Sequence, residues 1–188
     1  MDYWTIEMEK QLGVRLQCVL NDPALLKVFE KFGGSIFRRS SVFHGLARFL
    51  GEQKVCGDTC FEVGTWNGLT AAVLSRHFRR VVSVDIIHNA VKHDVLAHLG
   101  ITNVECIDIT DNAHKKRVCD DLKFDFAYLD GNHTDDTEID WAMTKRCGRV
   151  LFHESWPFQK PVWDLLQSLP DDQVTWSESG LALWRKAA

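Results

Sequence analysis

From residue 55 onward the chain repeats one pattern five times: a short apolar run followed by a longer stretch of mixed polarity. The runs are 58–64 (DTCFEVG), 81–86 (VVSVDI), 104–109 (VECIDI), 124–130 (FDFAYLD) and 149–154 (RVLFHE). Runs of this length and apolarity fit parallel strands covered on both faces. The stretches between them, near 68–78, 88–99, 112–121 and 134–146, read as helices. Regular β-α alternation implies a parallel sheet with right-handed crossovers and helices on both sides. The tail breaks the pattern. After a helix near 160–168, Gln173–Ser177 and Leu181–Lys186 read as strands parted by a few residues around Gly180. A connection that short makes a hairpin, so these two strands run antiparallel.

The expected fold class is therefore α/β, a Rossmann-like doubly wound seven-stranded sheet with an antiparallel C-terminal hairpin, plus N-terminal helices. Residues 1–50 are expected to form a helical extension, and residues 51–188 the main domain. In the extension Leu12, Leu16, Val19 and Leu20 recur at helical spacing, and Asn21-Asp22-Pro23 is a stop and restart. Gly33-Gly34 is a break, and Ser40 or Ser41 can cap a helix carrying Val42, Leu46, Phe49 and Leu50.

Composition narrows the function classes. A chain of 188 residues with 45% hydrophobic and 26% charged residues is one domain's worth, and it can bury a full core without disulfides or metal staples. The net charge of -4 does not favour nucleic acid or an anionic membrane as partner. No apolar run nears the roughly 18 residues that span a bilayer. The start, MDYWTIEMEK, is mixed and acidic and does not read as a secretory signal. Six cysteines without a C-x-x-C pair read as reduced thiols, Cys60 in a buried strand among them. A cytoplasmic location follows as the expectation. Trp141, Trp163, Trp176 and Trp184 are expected in the core, and Trp66 and Trp156 beside a pocket.

In open α/β sheets ligands sit beyond the carboxyl ends of the strands, where strand order reverses. Those ends carry Glu62-Val-Gly64-Thr65-Trp66-Asn-Gly68, Asp85-Ile86, Asp108-Ile109, Asp130-Gly-Asn-His133 and His153-Glu154. A pyrophosphate loop would read G-x-G-x-x-G. Here Glu62 stands where the first glycine would be. A carboxylate there repels a pyrophosphate and suits a cofactor with cationic groups, while Gly64 and Gly68 let backbone approach a ligand closely. Asp85 follows Gly64 by 21 residues, where an acid accepts hydrogen bonds from ribose hydroxyls. Asp108 and Ile109 end the third strand, where an acid or a neighbouring N–H meets an adenine edge; a helix-cap role for Asp108 is the alternative.

This series resembles the class I S-adenosylmethionine (SAM)-dependent methyltransferases over residues 55–186, and SGLALWRK resembles their antiparallel last strands. FDFAYLDGNHTDD followed by GRVLFHESW is similar to one subgroup, the small methyltransferases related to catechol O-methyltransferase, also called methyltransferase domain family 24. The resemblance implies SAM bound by Glu62, Gly64, Thr65, Trp66, Gly68, Asp85, Ile86, Asp108, Ile109 and Asp130. It implies methyl transfer to an oxygen, or less readily a nitrogen, of a small polar acceptor. In catechol-type relatives the acids matching Asp130 and Glu154 bind a divalent cation such as Mg²⁺. Ser155 stands at the third ligand's place, and the relatives' lysine base has no counterpart. His133 and His153 offer a base instead, with an unperturbed pKa near 6.5. Both versions, a metal at Asp130 and Glu154 or a base at His133 or His153 beside Asp130, stay open on the sequence. Lys31, Arg38, Arg39 and Arg48 fall in a 20-residue stretch without an acid. That stretch reads either as a solvated basic face or as a lid touching an anionic acceptor or the cofactor carboxylate. The rival functions are a non-catalytic SAM-binding module and a nucleotide-dependent oxidoreductase; Glu62 opposes the latter. Absence of an N-P-P-Y-like motif after the fourth strand argues against a nucleic-acid acceptor.

Overall fold

The computed structural model describes Lys31, residues 40–132 and residues 136–187. The expected helices before residue 40 lie outside the described residues, as do Arg38, Arg39 and His133. Helix α1 (Ser40–Glu52) enters the domain. The alternation follows as β1 (Gly57–Val63), α2 (Leu69–Leu74), β2 (Phe78–Asp85), α3 (Val91–His98), β3 (Val104–Asp108), α4 (Asn112–Asp121), β4 (Phe126–Leu129), α5 (Asp136–Thr144), β5 (Arg149–Phe152) and α6 (Lys160–Gln167). Strands β6 (Val174–Trp176) and β7 (Ala182–Arg185) close the sheet.

The seven strands lie in the order β3-β2-β1-β4-β5-β7-β6. Five pair in parallel, and β7 is antiparallel to both its neighbours. The order turns back between β1 and β4, so the crevice expected of such sheets opens at the ends of those two strands.

Alternation along the strands sorts the core into two layers. Cys60, Val81, Phe126, Tyr128, Leu151 and Leu183 pack with Leu46 and Phe49 of α1, Leu69 and Val73 of α2 and Val95 of α3. Phe61, Val63, Val82, Val84, Ala127 and Leu129 pack on the other face with Cys119 of α4, Met143 of α5 and Val162 and Leu166 of α6. A period of two in the strands puts odd and even positions on opposite faces, so each strand feeds both layers. Of the four tryptophans expected in the core, three are not fully buried. Trp176 on the terminal strand β6 is 41% exposed and leans on the half-buried Trp163, with ring centroids 5.2 Å apart. Trp184 is buried and meets the half-buried Trp141 edge to face at 4.7 Å.

Candidate functional site

The turn after β1 is shaped by close approach. Gly64 has φ +99°, its N–H donates to the Val84 carbonyl, and a Cβ built on it would lie 2.1 Å from the Asp130 carbonyl oxygen. Only glycine combines that φ with that clearance. The backbone of β1's end thus lies directly against that of β4's end. Gly68 (φ +82°) then begins α2 as its N-terminal flanking residue.

Asp85, 8% exposed at the end of β2, organises this turn. Its Oδ2 accepts from the Trp66 N–H at 2.6 Å and its Oδ1 from the Ile87 N–H at 2.8 Å. A carboxylate has about four lone-pair positions, so each oxygen can accept again from a ligand. Trp66 itself is held at φ +41° by this contact.

These elements enclose a cavity of about 540 Å³. Gly64, Thr65, Trp66, Asp85, Ile86, Ile109 and Asp130 line it, together with Asn67, Thr70, Ile87, Lys115, Asn132 and Asp136. Seven of the residues expected at the cofactor are therefore brought to one cavity by four strand ends. Ile86 and Ile87 present apolar surface beside Asp85, each 56% exposed, while Ile109 is buried opposite.

Three expected contacts do not line the cavity. Gly68 stands at the start of α2. Asp108 is paired with the buried Lys92 and lies 3.7 Å from His88, and the Lys92 ammonium holds its carboxyl below the usual carboxylate range. Glu62 is fully buried behind the turn and hydrogen-bonded to Ser83. Burial pushes the Glu62 carboxyl up to about 8; the Ser83 and Thr70 hydroxyls offset part of this, and the Asp130 and Asp85 charges add to it. The expectation that Glu62 meets the cofactor directly is corrected by its place behind the turn, outside the cavity lining.

At the end of β4, Asp130 Oδ1 lies 2.6 Å from Nδ1 of His153, both side chains nearly inaccessible. The Tyr128 hydroxyl lies 3.5 Å from the other oxygen of Asp130. Asp130 belongs to the cavity wall and His153 does not, so the histidine expected as a base stands behind the aspartate. Glu154 takes φ +53° and accepts from Gln159 Nε2 at 2.8 Å, and the Ser155 hydroxyl turns to the Phe152 carbonyl at 3.3 Å. Among the described residues no three His, Cys, Asp or Glu side chains gather as a metal site. Trp156 packs over Gly180 and stacks on Phe158, away from the cavity lining. Arg48 is exposed and pairs with Glu52.

The sequence reading missed Lys115. Its ammonium lies 2.5 Å from Oδ1 of Asp140, both side chains about 5% exposed, and it forms part of the cavity wall. Its signal was a lysine four residues before the buried Cys119 on one face of α4.

No family model matches the sequence, and no curated protein matches it. Solved structures match its fold. A protein assigned as a caffeoyl-CoA O-methyltransferase from Staphylococcus aureus superposes with a TM-score of 0.66 at 14% identity, covering 96% of this chain and 100% of that one. MtNAS, solved in complex with S-adenosylmethionine, gives 0.53 at 15% identity over 98% of this chain and 75% of that one. An rRNA methylase from Streptococcus thermophilus gives 0.51 at 18% identity over 78% and 95%. The fold is that of the class I SAM-dependent methyltransferases. The caffeoyl-CoA O-methyltransferase and the rRNA methylase act on chemically different acceptors by name, so the methyltransferase fold leaves the acceptor open.

Proposed function

We propose that this chain is an enzyme that binds SAM in the 540 Å³ cavity and moves its methyl group to an oxygen of a small polar acceptor. The observation that carries the reading is Asp85. It sits at the end of the second strand, faces the cavity, and is fixed by two backbone N–H groups of the surrounding turns. That arrangement offers ribose hydroxyls a pre-positioned acceptor. Ile86 and Ile109 provide apolar faces for an adenine ring, and the Gly64 turn brings backbone near the methionine part.

Bound there, SAM supplies a methyl group on a sulfonium leaving group. The chain's contribution is alignment and exclusion of water. We assign Asp130, in the cavity wall at the end of β4, to orient the acceptor hydroxyl. His153 is a positioning residue that fixes Asp130 from behind. At the third ligand's place Ser155 turns its hydroxyl to a backbone carbonyl, and among the described residues no three His, Cys, Asp or Glu gather around Asp130 and Glu154. We therefore read the transfer as metal-free, with an oxygen acceptor favoured by the overall likeness to the Staphylococcus aureus protein.

Two measurements test this. SAM and its demethylated product are expected to raise the melting temperature, equally with EDTA or Mg²⁺, while NAD and ATP do not. A ligand at 100 times its Kd stabilises by about 2.7 kcal/mol, well within detection. A response to NAD and none to SAM would sink the proposal. Asp85→Ala, by removing charged hydrogen bonds worth about 1.5–3 kcal/mol, should weaken SAM binding roughly tenfold or more in a protein that still folds. Unchanged affinity by calorimetry would remove Asp85 from the ribose.

A further inference from the structure

Glu62 is the one fully buried carboxyl near the cavity, among the described residues, that the proposed transfer does not use. Its Oε2 is bonded to the Ser83 hydroxyl, and Ser83 Oγ lies 2.6 Å from Thr65 Oγ1. Thr65 belongs to the cavity wall. The three groups therefore form an unbroken hydrogen-bonded chain from a buried carboxyl to the ligand space. The other carboxyl oxygen, Oε1, is buried with no hydrogen bond of normal geometry.

The surroundings of Glu62 set what such a chain can do. Its register partners are Ser83 on β2 and Tyr128 on β4, and Ser83 is paired in turn with Cys106 on β3. Cys60 lies two residues before it on β1, and Thr70 reaches it from α2. Asp85 and Asp130, at the ends of β2 and β4, face it as negative charges. Burial and two aspartates oppose ionisation of Glu62, and a positive charge arriving in the cavity would favour it.

We infer that Glu62 distinguishes the sulfonium cofactor from its neutral thioether product, by giving up a proton through Ser83 and Thr65 when the positive charge enters the cavity. The inference rests on the SAM reading above. The proton balance is simple. The structure gives Ser83 donating to Glu62 Oε2; with the proton on Oε2 the hydroxyls turn, so that Glu62 donates to Ser83, Ser83 to Thr65, and the Thr65 O–H is released toward the ligand space. On ionisation the Glu62 proton passes to Ser83, that of Ser83 to Thr65, and that of Thr65 to water. The chain is then reversed, with Thr65 donating to Ser83 and Ser83 to the carboxylate. One cation is gained in the cavity and one proton is lost to solvent, so net charge is unchanged. The product carries no sulfonium and provides no equivalent drive. It binds with Glu62 protonated.

Calorimetric titration of the full chain at pH 7.5, in two buffers of different ionisation enthalpy, reads this directly. SAM is expected to release about half a proton or more, and the demethylated product at most half as much. Glu62→Gln should still bind SAM and release none. A wild-type measurement needs no variant: the ratio of SAM affinity to product affinity should rise as pH goes from 6 toward 8, then level off. Equal release for both ligands, a flat ratio, or release that persists in Glu62→Gln would each overturn the inference while leaving the cofactor reading intact. Failure of SAM to bind at all would overturn the cofactor reading itself.

Discussion

Gly64→Ala is expected to destabilise the protein by roughly 2–6 kcal/mol and to abolish SAM binding in whatever fraction remains folded. The added Cβ would meet the Asp130 carbonyl oxygen at 2.1 Å, a backbone atom of the neighbouring strand that cannot rotate away. The positive φ adds its own cost to any residue with a side chain. Against a total stability of about 5–15 kcal/mol this is a large loss. Gly100→Ala is the matched control. Gly100 has φ +68° and nothing within 4 Å of the place its new methyl would occupy, so its substitution should cost only the conformational part, about 1–2 kcal/mol. Chemical denaturation of both variants separates the two effects. A Gly64→Ala variant no weaker than Gly100→Ala would mean that β1 and β4 do not meet as closely as described.

The contrast between what the sequence revealed and what it hid follows from how each feature is encoded. Strand β3 begins at Val104 as expected, since its apolar run has a clear start. Strand β2 begins at Phe78, three residues before the expected start, because Arg79 and Arg80 point to solvent near the sheet edge and broke the apolar run. There Arg80 reaches Glu105 on β3 at 2.6 Å. Helix α2 ends at Leu74 rather than 78, where Phe78 already pairs with Gly57. The seven cavity residues were legible because strand order places strand ends together, and a strand end is visible in sequence. The fate of Glu62, Asp108 and Ser155 was not. Glu62 and Asp108 are decided by partners on other elements (Ser83 on β2 and Lys92 on α3) that no local spacing announces, and Ser155 by a turn back to the Phe152 carbonyl three residues before it. Lys115 was hidden for the same reason: its partner Asp140 lies on the next helix, 25 positions away.

His153→Ala is expected to cost roughly 1–3 kcal/mol, although His153 does not line the cavity. The reason is the carboxylate it leaves behind. Asp130 and His153 are 2.6 Å apart with side chains 4% and 6% exposed, so removing the imidazole takes a close hydrogen-bond partner from a buried acid. The converse change is milder, because Asp130→Asn leaves a neutral amide that can still meet the ring nitrogen. The sharpest reading is therefore the double-mutant cycle. If the pair is what holds Asp130 in place, His153→Ala should cost much less in the Asp130→Asn background, giving a coupling of at least about 1.5 kcal/mol. Effects that simply add, within about 0.5 kcal/mol, would show that the two groups do not depend on each other. The same variants divide structure from chemistry. His153→Gln can restore a donor to Asp130 without a titrating ring. If His153 only positions the aspartate, this variant should recover most of the lost stability and keep SAM affinity. Recovered stability with SAM affinity still lost would instead give the imidazole a direct part in the site.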